Sequence, residues 1–397
     1  MASKDSVPEV TIGMVGHIDH GKTTLLQKLT GKWADTHSEE MKRGITIKLG
    51  YASATIYKCD KCKGPSCYSI VKKCMNHLSD NSVSRTVSFV DAPGHEALMA
   101  TMLSGASMIH GAVLVIAANE PCPQQQTADH LKALEITGIK NIIIVQNKVD
   151  LVSDAQLKKN YDEIKKFIKG SVAENAPIIP LSGQSGVNVD ALLMAIEEFI
   201  LSPKINKQDN PIMLVARSFD VNKPGKEVPE LLGTILGGAL KQGVLKKGEK
   251  IIILPGIKMK DKWEPLDAKI ESINYSNLFV DEVSPGGSFG LSTSLDPYFG
   301  KNDKLSGSVI CLKGKPIDVY SKLDLKFKIL DNSLLKPNEV LLLNNWTAKT
   351  TGTVKAVKKD AVSLDLALPI ASMKGERVSI SRKMGSRWKL SGWGEIL

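Results

Sequence analysis

A glycine-rich stretch near the start of the chain has the composition of a phosphate-binding loop. The stretch GHIDHGKT, residues 16–23, fits the pattern G-x-x-x-x-G-K-[ST] without a mismatch, between a strand-like run and a helical run. Glycines let backbone N–H groups curl around phosphate oxygens, and the start of the following helix adds positive potential. In such a loop Lys22 reaches the β- and γ-phosphates, and the Thr23 hydroxyl coordinates Mg²⁺. The candidate phosphate contacts are Gly16, Asp19, His20, Gly21, Lys22, Thr23 and Thr24.

Two further segments follow in the order that a nucleotide site requires. The segment DAPGH, residues 91–95, ends the apolar run VSFV, so that Asp91 would hold Mg²⁺ through water and the Gly94 N–H would contact the γ-phosphate. The segment NKVD, residues 147–150, ends the run IIIVQ. The Asp150 carboxylate can accept both N1–H and the exocyclic amine of guanine, and adenine offers neither donor.

The order of these segments predicts a GTPase. A site built on hydrogen bonds to a base rejects the analogue that lacks them by roughly 10⁴–10⁵-fold. The segment LSGQ, residues 181–184, follows a last strand-like run and would supply backbone contacts to the guanine carbonyl. The candidate base contacts are Asn147, Lys148, Asp150, Ser182, Gly183 and Gln184.

A threonine between the first two segments is a candidate switch. Thr46 lies in EMKRGITIKLGY, residues 40–51, where it would close on Mg²⁺ and the γ-phosphate and be released after hydrolysis. A plain strand over ITIKL explains the same residues and does not exclude that role.

The elements that must position these residues alternate between strands and helices. Over residues 10–200, unbroken β-branched runs are separated by helical patterns, which predicts an α/β P-loop GTPase domain with a mostly parallel sheet and helices on both faces. After the polar stretch LSPKINKQDNP, short strands and glycine turns predict two antiparallel β-barrel domains. We expect the domains at residues 1–205, 206–318 and 319–397, with a cysteine-rich insertion at residues 58–77.

Composition and charge limit the classes of protein to which this chain can belong. The chain has 397 residues and a net charge of +10, and all of the excess lies in residues 201–397. An excess of basic residues in one half of a chain is typical of a protein that binds a polyanion such as nucleic acid. Single lysine runs, however, are often only solvated surface. The sequence contains neither a signal peptide nor an apolar run long enough to span a membrane, which predicts a cytoplasmic protein.

The cysteine-rich insertion predicts a structural zinc site. Four of the six cysteines, Cys59, Cys62, Cys67 and Cys74, fall within sixteen residues. A cytoplasmic protein keeps its thiols reduced, so disulfides are not expected. Cys59 and Cys62 have the spacing of a tetrahedral zinc half-site, and the four cysteines are the first choice of ligands. The pair Cys74 and His77 has the same spacing and is the alternative second half. A relic cluster without metal is the other possibility.

Several longer segments carry a family resemblance. The segments GHIDHGKT, RGIT, DAPGH and NKVD resemble the translational GTPases of the elongation factor Tu type, which pair a nucleotide domain with two β-barrels. HSEEMKRGITIKLGYA, DAPGHEALMATMLSGA, NEPCPQQQTADHLKALEI, RSFDVNKPG and RWKLSGWGEI are more narrowly similar to the gamma-subunit family of archaeal and eukaryotic translation initiation factor 2. The resemblance runs from residue 10 to the end.

The resemblance implies a carrier of initiator methionyl-tRNA rather than a metabolic GTPase. Its GTP form would deliver the tRNA to the small ribosomal subunit, within a heterotrimer completed by alpha and beta subunits, and GTP hydrolysis would release it. His95 matches the water-orienting histidine of the family. Asp19 and the Gly44 carbonyl match a second Mg²⁺ site beside the site of Thr23 and Thr46. Members of the family carry a zinc knuckle or its degenerate remnant at the place of the cysteine-rich insertion.

The resemblance also suggests a pocket for methionyl-adenosine. Tyr51 and Phe219 lie in segments that resemble its walls, and a simple role as barrel or sheet aromatics explains these two residues equally well.

Two other functions fit part of the sequence. A selenocysteinyl-tRNA elongation factor belongs to the same superfamily, but that family usually has an extra C-terminal domain, whereas this chain ends about where the third domain would close. A zinc-containing RNA-binding scaffold with a regulatory nucleotide site is the alternative from a different class.

Overall fold

The computed structural model divides into two compact units, residues Met1–Pro203 and Lys204–Leu397. It describes residues 7–31, 50–91, 103, 107–222, 225, 227, 231–275, 278–330, 333–385 and 387–397. The predicted boundaries of three domains stay predictions.

The first unit is built on a seven-stranded sheet with the order β3-β2-β4-β1-β5-β6-β7. The five strands from β4 to β7 in this order are parallel, whereas β2 and β3 are antiparallel to their neighbours. The strands are β1 (Val10–Gly16), β2 (Gly50–Lys58), β3 (Tyr68–Ser69), β4 (Ser82–Asp91), β5 (Gly111–Ala117), β6 (Ile142–Asn147) and β7 (Ile178–Pro180).

Helices cover both faces of this sheet because its central strands are apolar on both sides. Every residue of β1, β5 and β6 is buried. The described helices are α1 (Lys22–Thr30), α2 (Gln125–Thr137), α3 (Asp154–Ile168) and α4 (Val189–Phe199). Leucines of α1 and α4 share one core with alternate residues of the central strands, and α2 and α3 pack on the other face. The predicted α/β class is confirmed.

The parallel register brings the ends of several strands to one edge. Met14 of β1 is level with Asp91, the last residue of β4, and Ala117 of β5 is level with Asn147, the last residue of β6. In parallel sheets, ligands bind outside the carboxyl ends of the strands. This edge therefore carries the segments that were predicted to bind nucleotide.

The second unit begins with a closed barrel. The strands follow the order β11-β16-β8-β9-β15-β12, and pairing of β11 with β12 closes the ring, with β13 attached at β12. Its strands are β8 (Ile212–Phe219), β9 (Ile235–Gln242), β10 (Leu245–Lys246), β11 (Lys250–Met259), β12 (Lys262–Tyr275), β13 (Leu278–Val280), β14 (Glu282–Val283), β15 (Ser288–Thr293) and β16 (Val309–Leu312).

A second closed barrel follows, with the order β17-β20-β19-β18-β21-β22. Alternate residues of its strands, such as Leu323 and Leu325, fill the interior. The strands are β17 (Asp318–Ile329), β18 (Val340–Asn345), β19 (Ala348–Val357), β20 (Ala361–Ser372), β21 (Arg377–Met384) and β22 (Arg387–Ile396). The prediction of two antiparallel barrels is confirmed.

Candidate functional site

The glycine-rich stretch forms a tight loop between β1 and α1. Gly16, Asp19 and Gly21 all have positive φ angles, of 139°, 60° and 86°. A Cβ added at Gly16 would overlap the Val115 carbonyl oxygen, and one added at Gly21 would overlap the Asn147 side chain. Only glycine fits these two positions without displacing a neighbour. The loop therefore has the shape that the sequence pattern predicts.

The residues that begin α1 present a cation and a hydroxyl group at this loop. The Lys22 side chain is buried, and its Nζ donates to the His17 carbonyl at 2.7 Å. The Thr23 Oγ1 donates to Asp91 Oδ2 at 2.8 Å. A hydroxyl and a carboxylate are the hard oxygen donors that Mg²⁺ prefers, so this pair fits the predicted metal. Thr24 follows in the first turn of α1 and is half-buried.

Asn147 links the phosphate loop to the loop after β7. Its Nδ2 donates to the His20 carbonyl at 2.8 Å, and its Oδ1 accepts the Gly183 N–H at 2.9 Å. Both of these hydrogen bonds are buried. The first and last predicted segments of the site are thus joined through one amide side chain.

The remaining predicted base contacts surround this amide. Lys148 has a positive φ of 62° and precedes a short 3₁₀ helix, Val149–Leu151, on which the Asp150 side chain is exposed. Ser182 is buried and its Oγ accepts the Ser185 N–H at 3.2 Å, whereas Gln184 is exposed. Because the Asp150 carboxylate is exposed, it is accessible to the N–H groups of a purine.

Four predicted site residues lie outside the described residues: Gly44, Thr46, Gly94 and His95. Asp19, the other candidate for the second Mg²⁺, is exposed at the turn of the phosphate loop.

The two candidate pocket aromatics lie in different units. Tyr51 belongs to β2 and is level with Val90 of β4. Phe219 ends β8, and the Arg217 guanidinium lies 4.9 Å from the centre of its ring. Their part in a methionyl-adenosine pocket stays a prediction.

The cysteine-rich insertion brings four potential zinc ligands together. Cys59, Cys62, Cys74 and His77 place one ligand atom each within 4.8 Å of all the others. Cys62 Sγ lies 3.7 Å from Cys74 Sγ, and His77 Nδ1 lies 3.5 to 3.6 Å from the three sulfur atoms. A tetrahedron with Zn–S of about 2.3 Å and Zn–N of about 2.0–2.1 Å has edges of about 3.8 and 3.5 Å. The donor set and these four distances therefore fit zinc.

Cys67 is not among these four residues, in contrast to the first choice of ligands. It ends a 3₁₀ helix, Gly64–Cys67, and its carbonyl accepts the Cys59 N–H at 2.8 Å just before β3 pairs with β2. The Cys67 backbone therefore pairs with the residue that follows β2, and Cys67 is not among the clustered ligands. The alternative pair Cys74 and His77 completes the cluster in its place.

Sequence reasoning missed two residues on α2 that hold the phosphate loop. The Gly16 N–H donates to His130 Nδ1 at 2.8 Å, and the Ile18 N–H donates to Gln126 Oε1 at 3.2 Å. No local motif marks these residues, since each contact joins positions more than a hundred residues apart. From the sequence alone, a histidine within the apolar pattern of a helix is interpreted as an ordinary core residue.

Comparison with known proteins places the whole chain in one family. The model of the elongation factor Tu GTP binding domain matches residues 8–202, and the model of the C-terminal domain of initiation factor eIF2 gamma matches residues 322–396. The translation initiation factor 2 subunit gamma of Methanocaldococcus jannaschii is 51% identical over 98% of this chain and 97% of its own length. The chain belongs to the translation initiation factor 2 subunit gamma family.

Two other members of the family are equally similar to this chain. The subunit gamma proteins of Archaeoglobus fulgidus and Pyrococcus furiosus are each 51% identical, over 99% and 98% of this chain and 96% and 97% of their own lengths.

The similar solved structures include two elongation factors. A bacterial EF-Sec is 23% identical with a TM-score of 0.76, and this chain covers 58% of it with 98% of its own length. SelB from Methanococcus maripaludis with GPPNHP is 23% identical with a TM-score of 0.74, over 99% of this chain and 80% of that chain. These two likenesses show the fold.

Membership of the gamma-subunit family confirms the predicted enzyme class. The chain is a GTP-hydrolysing translational GTPase, and its GTPase domain implies GTP or GDP with Mg²⁺. Among the helices that the structure describes, none has the length and apolar character needed to cross a bilayer.

Proposed function

We propose that this chain is a GTP-dependent carrier that delivers initiator methionyl-tRNA to the small ribosomal subunit and releases it when GTP is hydrolysed. The observation that carries the proposal is the similarity to the initiation factor 2 gamma subunits, which extends through both barrels to the C-terminal domain. Similarity confined to the GTPase domain would have left the cargo open, because many translation factors share that domain.

The nucleotide site would act as the switch of the carrier. Lys22 would contact the β- and γ-phosphates, and Thr23 would coordinate Mg²⁺ with Asp91 acting through water. The Thr23–Asp91 hydrogen bond of 2.8 Å supports this pairing. Thr46 would close on the γ-phosphate and report whether GTP or GDP is bound, and His95 would orient the attacking water.

The proposed metal and base contacts complete the site. Asp19 and the Gly44 carbonyl would contact a second Mg²⁺, and the Gly94 N–H would contact the γ-phosphate. Asp150 would read the guanine edge from its exposed position on the 3₁₀ helix. Asn147 would hold the loops on either side of the base.

The second unit would supply the tRNA surface. All of the net charge of +10 lies in residues 201–397, and the attraction of lysine and arginine for phosphates gives most of the affinity for nucleic acid. Phe219, whose ring centre lies 4.9 Å from the Arg217 guanidinium, would form one wall of a pocket for the methionylated adenosine.

The proposed partners follow from the family. Its members are named subunit gamma, which supports a heterotrimer with alpha and beta subunits. We place this assembly in the cytoplasm, where the small ribosomal subunit is its target.

The cysteine-rich insertion would hold a structural zinc ion. Cys59, Cys62, Cys74 and His77 would fill all four tetrahedral positions, which leaves none open for a substrate. The 3₁₀ helix of the insertion and β3 pack against α4, so the metal would cross-link a segment that lies on the GTPase domain. An ion pair of 2.6 Å between Arg85 and Glu197, both largely buried, joins β4 to the same helix.

A comparison of tRNAs tests the proposed cargo. Filter binding would measure the affinity of the chain with a non-hydrolysable GTP analogue for initiator methionyl-tRNA, elongator methionyl-tRNA and selenocysteinyl-tRNA. The carrier function predicts tightest binding of initiator methionyl-tRNA. A preference for selenocysteinyl-tRNA would favour the elongation factor, and equal binding of all three would favour a general RNA-binding scaffold.

A further inference from the structure

Two histidine side chains, one near each end of β1, accept hydrogen bonds from the backbone of this strand. Near its start, the Thr11 N–H donates to His110 Nδ1 at 3.1 Å, and at its end the Gly16 N–H donates to His130 Nδ1 at 2.8 Å. The two hydrogen bonds have the same donor and acceptor types. Only the second one touches the phosphate loop, because Gly16 is the first residue of that loop.

A second side chain of α2 holds the same loop. Gln126 Oε1 accepts the Ile18 N–H at 3.2 Å. Gln126 and His130 are four residues apart on α2, so they lie on one face of the helix, one turn from each other. The helix therefore offers two acceptors, spaced by one turn, to two amides of the loop that are two residues apart.

The surroundings of His130 keep its imidazole neutral, so that Nδ1 can accept a hydrogen bond. The side chain is fully buried, and its burial, followed by the charges of Lys22 and His17, lowers the pKa of the imidazole to about 3. The ring is therefore neutral at physiological pH. Its Nδ1 must be unprotonated to accept the Gly16 N–H, so the ring proton lies on Nε2.

We propose that His130 and Gln126 are positioning residues of the nucleotide site, which fix the first part of the phosphate loop and thereby set how long a guanine nucleotide stays bound. With the Gly16 and Ile18 amides tied to α2, the loop from Asp19 to Thr23 keeps one conformation. Nucleotide then binds without first ordering the loop. The proposed role rests on the binding of GTP and GDP at this site, and it is independent of the tRNA cargo.

The first test compares the two histidines that accept hydrogen bonds from β1. The dissociation rate of a fluorescent GDP analogue would be measured for wild type, His130→Leu, His130→Asn and His110→Leu. Loss of one buried acceptor should speed dissociation about tenfold in His130→Leu. Asparagine can place its Oδ1 near the position of Nδ1, so His130→Asn should stay within about threefold of wild type. His110→Leu removes the equivalent bond away from the loop and should leave the rate unchanged.

Thermal unfolding of nucleotide-free protein separates positioning from general stability. We expect both leucine variants to unfold at lower temperature than wild type, but only His130→Leu to release nucleotide faster. Equal dissociation rates for the two leucine variants would overturn the proposal. Failure of asparagine to restore slow release would overturn it as well.

Gln126 provides an independent test if His130→Leu does not fold. Gln126→Met keeps the length of the side chain, removes the amide, and should speed GDP release about threefold or more. The neighbouring Gln125 is exposed and bonds only to Asp129 of its own helix among the described contacts, so Gln125→Met is the matched control. Equal release from the two methionine variants would contradict a positioning role for Gln126.

Discussion

Asn147 and His20 are 127 residues apart in the sequence, yet the side-chain amide of Asn147 donates to the His20 carbonyl at 2.8 Å. The same amide group accepts the Gly183 N–H at 2.9 Å. One side chain therefore fixes the distance between the phosphate loop and the loop after β7. Its role is structural support of the site, in addition to any contact with the nucleotide.

Removal of this amide should weaken nucleotide binding. We expect Asn147→Ala to lower GDP affinity about tenfold or more, because two buried hydrogen bonds are lost and their backbone partners are left unpaired. Asn141 donates to the His110 carbonyl just before the same strand begins, so Asn141→Ala is the matched control. Titration with a fluorescent GDP analogue checks both variants, and an affinity within twofold of wild type for Asn147→Ala would contradict this role.

Substitution of Asp150 should change the preferred base. Asp150→Asn replaces a carboxylate that would accept the guanine N–H groups with an amide that can also donate, which suits the extra carbonyl of xanthine. We expect the variant to prefer XTP over GTP in a competition assay. Asp154→Asn, at the first residue of α3, should keep the preference for GTP. If Asp150→Asn still selects GTP, another residue reads the base.

The cysteine-rich insertion should contain about one zinc ion per chain. Elemental analysis of protein purified without chelator measures this ratio. The double substitution Cys59→Ser with Cys62→Ser should lose the metal and lower the thermal stability, with little change in nucleotide affinity. Cys67→Ser is the discriminating control, since Cys67 lies outside the cluster and its loss should leave zinc in place. Metal-free native protein of full stability would instead indicate a relic cluster.

Acid should destabilise the GTPase domain through His130. The pKa of His130 is lowered in the folded protein to about 3, against about 6.5 in an unfolded chain. Between these values the unfolded chain binds a proton that the folded chain does not, so this contribution to stability is present above about pH 6.5 and falls as the pH falls.

The difference between wild type and His130→Asn isolates this effect. From pH 7.0 to pH 5.5, wild type should lose about 1 kcal/mol more of its unfolding free energy than the variant, which has no imidazole at that position. Urea unfolding of the nucleotide-free proteins at the two pH values measures the difference. An identical pH dependence in both proteins would show that His130 is not a buried neutral acceptor.

The sequence predicts those parts of the fold that depend on local pattern. Unbroken apolar runs such as those of β5 and β6 are buried on both faces, and the glycine-rich loop occurs where its spacing and its flanking runs required it. The short strands after residue 211 close into barrels because their alternate residues need a common interior.

The contacts that depend on tertiary packing could not be predicted from the sequence. Whether Cys67 or His77 completes the zinc cluster depends on how the insertion folds back beside β2, and residue type alone favoured the thiol. His130 and Gln126 meet the phosphate loop only because α2 packs beside β1, and the sequence carries no local mark of that packing.

Carriage of initiator tRNA is tested most directly by protection of its ester bond. The measurement is the rate at which initiator methionyl-tRNA loses methionine in the presence of the assembled factor, with either a non-hydrolysable GTP analogue or GDP. If the γ-phosphate closes the switch around the tRNA site, deacylation should be clearly slower with the GTP analogue, and raised salt should weaken the protection. Equal protection by the GTP and GDP forms would contradict a GTP-dependent carrier.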